Sequence, residues 1–174
     1  LHLLAQARQL QPFTLSAVYV HHGISLHADS WAEFCAAQCA RLQVAFATRK
    51  VNIAGSDNLE HKAREARYQA LAEFVSSDKH MLLTAHHSDD QLESLLLALK
   101  RGSGPAGLSG IAQQRGFAAG VMLRPLLAFS RQELVHYARQ YQLQWIEDDS
   151  NSDMRFDRNF IRHQLTPVLR QRWP

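Results

Sequence analysis

Cysteine is scarce in this 174-residue chain, and the scarcity narrows its chemistry. Cys35 and Cys39 are the whole complement, four apart in a stretch with helical spacing. They read as reduced thiols facing a core, which points to a reducing compartment. There is no Cys-x-x-Cys pair, and no His-Glu-x-x-His pair for a zinc hydrolase. Long apolar runs are missing too: none approaches the roughly 20 residues that span a bilayer. No basic-then-apolar signal layout and no internal repeat is present. A net charge of +3 favours no class of partner. What is abundant is core-forming material, at 46% hydrophobic residues. That suits one domain, or one domain with an extension.

Strand-like and helix-like segments alternate along the chain. Strands are expected at Thr14–Val20, Val44–Val51, His80–Ala85 and Gln144–Glu147, and Phe117–Leu123 holds a further short strand. Helices are expected at His27–Leu42, Leu59–Val75, Ser88–Lys100, from Ser130 to Tyr141, and at Asn159–Gln171 with an interruption near Pro167. Capping boxes are read at Asp57 with Glu60, Ser88 with Gln91, and Ser130 with Glu133. The stretch Arg101–Gly110 is a loop by its glycine and proline content. The alternation implies an α/β fold, a mostly parallel sheet with helices on both faces. Residues 1–150 would form the main domain and 151–174 a helical extension. Leu1–Arg8 is helix-favouring but uncapped and lacks an initiator Met, so it reads as the middle of a helix.

The densest chemistry lies in Ala85-His86-His87-Ser88-Asp89-Asp90-Gln91-Leu92-Glu93, between a short apolar run and a helix. In open α/β sheets, ligands bind at that edge. Asp90, Glu93 and Leu97 would share a helix face. Tyr19–Gly23 and Lys50–Asn52 leave the first two strands at the same edge, and the three exits together suit a nucleotide-sized pocket. The plain alternative is a well-capped helix with solvated acids. A metal-dependent hydrolase using His86, His87 and Asp90 is another, although no dedicated metal ligands are assigned. Residues 151–174 carry five arginines against two aspartates, which suits phosphate or nucleic acid as well as a solvated helix face.

These residues resemble the bacterial tRNA(Ile)-lysidine synthetase family, within the N-type ATP pyrophosphatase (PP-loop) superfamily, over essentially the whole chain. The resemblance rests on Val20-His21-His22-Gly23-Ile24, Ala63-Arg64-Glu65-Ala66-Arg67-Tyr68 and the His86–Glu93 cluster. It continues through Lys100-Arg101-Gly102-Ser103-Gly104, Leu123-Arg124-Pro125-Leu126-Leu127, Trp145–Asn151 and Arg158-Asn159-Phe160-Ile161-Arg162-His163. It implies an adenine nucleotide α-hydrolase-like, Rossmann-like fold and a cytoplasmic enzyme using ATP and Mg2+. The O2 of the wobble cytidine of a CAU-anticodon tRNA(Ile) would attack the α-phosphate of ATP, releasing pyrophosphate and activating C2, and free L-lysine would then displace AMP. A related tRNA-thiolating enzyme is the neighbouring alternative, and a non-catalytic RNA-binding module another. A homodimer is left open.

Site roles follow from that implied chemistry. Asp90 would bind and deprotonate lysine, with His86 donating to phosphate or relaying protons. His21, His22, Gly23, Arg67, Gly102 and Gly104 would hold the nucleotide. Asp89, Glu93, Arg64, Arg124, Arg158 and Arg162 would meet lysine or tRNA. Surface ion pairs and a structural pairing of Arg158 or Arg162 with Asp157 or Glu147 stay open beside these roles. The family's Ser-Gly-Gly-x-Asp-Ser loop is not in this sequence, nor are C-terminal tRNA-binding domains. A polypeptide of these residues alone is therefore expected to be inactive.

Overall fold

Helix α1 (His2–Leu10) leads into strand β1 (Ser16–His21), and α2 (Ala28–Arg41) returns the chain to β2 (Ala45–Lys50). The structure is a computed structural model that describes residues 1–53 and 59–173. Two compact units divide it, Leu1–His80 and Met81–Pro174.

In the first unit β1 and β2 are parallel, paired from Ser16–Ala45 to His21–Lys50. Parallel neighbours need a crossover, and α2 supplies it while packing on both strands. Leu15, Cys39 and Val44 form the core, with Leu4, Ala17, Leu42 and Phe46 packed around it. Cys39 is buried and Cys35 half-buried, both free, and burial pushes both thiols up, away from reactivity. The carboxyl end of α2 closes through Gln43 in the left-handed region, φ 53°. Val44 N–H then reaches Cys39 O at 2.9 Å, and Gln43 N–H reaches Ala40 O at 3.1 Å. Arg8 donates to Leu42 O and Gln43 O, tying α1 to that end. Helix α3 (Leu59–Ala72) packs on β1 and stops three residues before the expected Val75. Asp57, half of the capping box read with Glu60, lies outside the described residues.

The second unit holds β3 (Met81–Leu83), α4 (Ser88–Lys100), β4 (Gln114–Phe117), β5 (Gly120–Leu123) and α5 (Arg131–Gln140). Two short helices follow, α6 (Asp157–Phe160) and α7 (Thr166–Arg172). The sheet order is β3-β5-β4, with β3 parallel and β4 antiparallel to β5. Met122 on the central strand is fully buried. The fold class is thus α/β with mostly parallel pairing, as the alternation implied. The Ser130 box also forms: Ser130 Oγ accepts from Glu133 N–H, and the Glu133 carboxylate accepts from Ser130 N–H.

Phe117–Leu123 holds the short strand expected there, β5, and Ala118, at φ 49°, turns the chain from β4 into it as a hairpin. Two expectations need correction, a strand at Gln144–Glu147 and the cap of α4. Gln144–Glu147 forms no strand, because it has no strand partner among the described residues and Trp145 and Ile146 stay exposed. The last helix is interrupted near Pro167, as expected. A π turn, Ile161–Leu165, joins α6 to α7, and Pro167 falls in the first turn of α7, where an N–H is dispensable. The cap of α4 is His87, not Ser88. Among the described residues no helix is long and apolar enough to cross a membrane.

Candidate functional site

After Leu83 the chain leaves the sheet through Thr84 and Ala85 and enters α4 at His87, whose backbone is extended. Asp90 sits one turn on, and its Oδ2 accepts from His87 N–H at 2.9 Å. A carboxylate there also faces the positive end of the helix dipole. His86 Nδ1 lies 2.9 Å from Thr84 Oγ1, which fixes the ring beside the strand end. His87 Nδ1 is buried, 3.6 Å from Asp89 Oδ2 and from Asp90 Oδ2, and forms no hydrogen bond with a described residue.

The buried face of α4 carries Asp89, Glu93 and Leu97, a four-residue spacing. Asp90 shares the helix face of Glu93 and Leu97 by its spacing, and its carboxylate caps the helix. Asp89 Oδ2 accepts from Arg131 N–H at 2.7 Å, and Oδ1 pairs with Arg170 Nη2. Burial alone would raise the Asp89 pKa; the Arg131 N–H, Arg170 and His87 outweigh it and hold the carboxyl below its usual range. Glu93 is 1% exposed and takes Arg162 in a two-point grip, Nε to Oε1 at 2.8 Å and Nη2 to Oε2 at 3.2 Å. Arg158 Nη1 adds a looser contact at 3.7 Å. The partner of Arg158 and Arg162 is therefore Glu93, not Asp157 or Glu147. Lys100 pairs with Asp157 at 2.6 Å instead. Arg124 is buried; it donates to Ala112 O at 2.5 Å and lies 3.0 Å from Met122 Sδ.

Gly102 ends α4 in the left-handed region, φ 66°, with Gly102 N–H on Leu99 O and Ser103 N–H on Ala98 O. That is a helix stop in its own right, and a side chain there would be strained. Gly104 O accepts from Gly107 N–H at 2.9 Å.

In the first unit, the exits of β1 and β2 meet at a residue that the sequence did not single out. Asp29 Oδ1 lies 3.2 Å from His21 Nε2 and 3.5 Å from Lys50 Nζ. Gly23 N–H donates to His21 Nδ1 at 3.1 Å, which leaves the ring proton on Nε2 toward Asp29, too poorly aligned for a hydrogen bond. Gly23 has φ 70°, the turn its lack of a side chain permits. His22 is half-buried with Nδ1 unpartnered among described residues. Burial, then Arg67, then His21 lower its pKa, so a neutral imidazole stands beside a guanidinium. Arg64 and Arg67 both lie over the Tyr68 ring, at 5.2 and 5.6 Å, with Arg64 exposed and Arg67 half-buried. The structure thus gathers His21, His22, Gly23 and Arg67 in one unit, and His86, Asp89, Asp90, Glu93, Arg158 and Arg162 in the other. Asp29, Arg170 and Gln91 were missed, because their contacts cross distances in sequence that no local spacing encodes. Among the described residues no cluster of three or more His, Cys, Asp or Glu side chains is arranged to hold a metal.

Comparison with known proteins adds the context. The PP-loop domain family matches residues 1–169. A tRNA(Ile)-lysidine synthase of Pectobacterium atrosepticum is 54% identical over 175 residues, covering 100% of this chain and 40% of the relative. One from Serratia proteamaculans is 53% identical over 100% of this chain and 40% of the relative. One from Vibrio cholerae is 49% identical over 99% of this chain and 39% of the relative. The chain spans about 40% of the length of the curated relatives it matches.

Proposed function

The chain belongs to the PP-loop domain family, and from that premise we propose that it is the nucleotide-binding and catalytic part of a tRNA(Ile)-lysidine synthase. The observation that carries the proposal is 54% identity across the whole chain to a protein of that name. The reaction joins L-lysine to C2 of the wobble cytidine of a CAU-anticodon tRNA(Ile), with ATP and Mg2+. The cytidine O2 attacks the α-phosphate of ATP and pyrophosphate leaves; the lysine amine then attacks the activated C2, and AMP leaves.

The donor set of the first unit suits a nucleotide. His22 offers a neutral imidazole with a buried unpartnered nitrogen, beside the Arg67 cation. Gly23 and His21 hold that turn in shape. In the second unit Asp90 has one oxygen fixed by His87 N–H, and its other oxygen bonds no described residue. That oxygen can take a proton from the lysine ammonium and hold the amine. His86 can donate to a phosphate oxygen at the same strand end. Gly102 and Gly104 would bring loop backbone toward the nucleotide. Arg64, exposed on α3, suits the tRNA backbone. Arg124, Arg158 and Arg162 would act on lysine or tRNA from positions already fixed by internal contacts, as would Asp89 and Glu93 through the arginines they hold. Residues 151–174 serve as the helical extension of a catalytic domain formed by residues 1–150.

Asp90→Asn tests the reading without losing the cap, since an amide oxygen can still accept from His87 N–H. Lysidine formation by the complete protein should fall at least about 100-fold, a barrier increase of roughly 2.7 kcal/mol, with the melting temperature within a few degrees of wild type. Turnover near wild type would remove Asp90 from the chemistry.

A further inference from the structure

Gln91 stands in the middle of the acidic cluster, one residue after Asp90, yet it faces neither acid nor arginine. Its side-chain amide meets the backbone of Ile111 twice. Nε2 donates to Ile111 O at 2.8 Å, and Oε1 accepts from Ile111 N–H at 2.6 Å. A side-chain amide has one donor edge and one acceptor edge, so this pairing copies the exchange between two strands. The residue before, Gly110, has φ 74°. A side chain there would be strained at that φ, and its Cβ, 2.6 Å from Gln91 Oε1, would push the amide off Ile111.

The path of the chain gives this contact its meaning. The loop leaves the carboxyl end of α4 at Gly102 and must return to Gln91, in the first turn and a half of the same helix. Helix α4 is about 20 Å long at 1.5 Å per residue. The short helical turn Gly107–Ser109 packs on α4 on the way back. At the far end Arg124 holds the next carbonyl, Ala112 O, and Arg124 N–H donates to Gln113 O at 2.9 Å. The glycine-rich loop is therefore fixed at its start by the α4 helix stop and at its end by Gln91 and Arg124. Its end lies beside the turn that carries His87 and Asp90.

We propose that Gln91 is a positioning residue: its amide pins the return limb of the 102–110 loop beside the amino-terminal end of α4, setting the loop against the Asp90 site. This rests on the site proposed above, and the test separates the two. In the complete protein, Gln91→Ala removes both bonds, and Gln91→Glu keeps the size but, ionised, places a carboxylate against Ile111 O. Hydrogen exchange reads the clamp without any activity. The Ile111 amide and its neighbours should exchange at least tenfold faster in both variants, while β3 and β5 stay protected. Lysidine kinetics read the consequence: kcat should fall tenfold or more and the KM for ATP should rise at least threefold, because Gly102 and Gly104 of the pinned loop are the residues placed on the nucleotide. Unchanged exchange at Ile111 would overturn the clamp. Faster exchange with unchanged kcat would overturn its part in positioning the site. A wild-type protein that makes no lysidine would sink the proposed activity instead, and exchange alone would then decide whether Gln91 holds the loop.

Discussion

Asp89 and Asp90 are adjacent carboxylates on one helix turn, and their surroundings give them different work. Asp90 accepts from the backbone of its own cap. Asp89 faces inward and binds groups 42 and 81 residues away. A similar division separates the two arginines that reach Glu93. Arg162 grips both carboxylate oxygens, whereas Arg158 touches one at 3.7 Å. Removing Arg162 strands a carboxylate that is 1% exposed, and an uncompensated buried charge of that kind costs about 3–5 kcal/mol. Removing Arg158 leaves the main pair intact and should cost less than about 1 kcal/mol, as partly exposed ion pairs do. Urea denaturation of Arg162→Ala and Arg158→Ala checks this ordering. Equal losses would mean that the two-point grip does not dominate. Changing Glu93 and Arg162 together to leucine should recover much of the loss, because an apolar pair needs no desolvated charge.

The helices that the sequence marked clearly are those whose ends use side chains with a local signature. Ser130 and Glu133 form the expected box, and Gly102 forms a glycine stop. The ends of α2 and α5 fall at the expected Leu42 and Tyr141, although the left-handed residue after each is glutamine, Gln43 at φ 53° and Gln142 at φ 51°. Both close with the same pair of bonds as Gly102 does; at Gln142 these are Leu143 N–H to Ala138 O and Gln142 N–H to Arg139 O. A β-carbon in that region costs about 1–2 kcal/mol. Glycine relieves this but adds freedom to the unfolded chain. Both positions are exposed, so no packing is lost on replacement. Gln43→Gly and Gln142→Gly should therefore each stabilise by about 0.5–1 kcal/mol, measured as a higher urea midpoint with an unchanged slope. A lower midpoint in either variant would show that its glutamine makes a contact outweighing the backbone strain.

Across the molecule, the alternation of strands and helices and the placing of the acidic cluster at a strand exit were legible because both are local. The contacts that organise the cluster were not. Nothing near Asp89 in sequence points to Arg170, and nothing near Gln91 points to Ile111; topology brings them together. Asp89 joins α4 to the first residue of α5 and to α7, while Glu93 joins α4 to α6 and the π turn after it. The second unit is thus fastened through carboxylates, which makes it sensitive to acid. The folded Asp89 pKa lies below its ordinary value, about 3.9 in an unfolded chain. A depressed carboxyl contributes stability that is complete above the unfolded value and is lost as pH falls through the folded one. Stability should hold from neutral pH to about pH 5 and fall below about pH 4, as Asp89 gains a proton and releases Arg170 and Arg131 N–H. Other carboxylates with lowered pKa, such as Asp153, titrate in the same direction, so the wild-type slope alone is not diagnostic. Asp89→Asn isolates the contribution: it should destabilise at pH 7, and the gap to wild type should close as pH drops below 4. Hydrogen exchange across α7 should show the same convergence. A gap that stays constant from pH 7 to pH 3 would mean that the charge on Asp89 does not fasten the carboxyl-terminal helices.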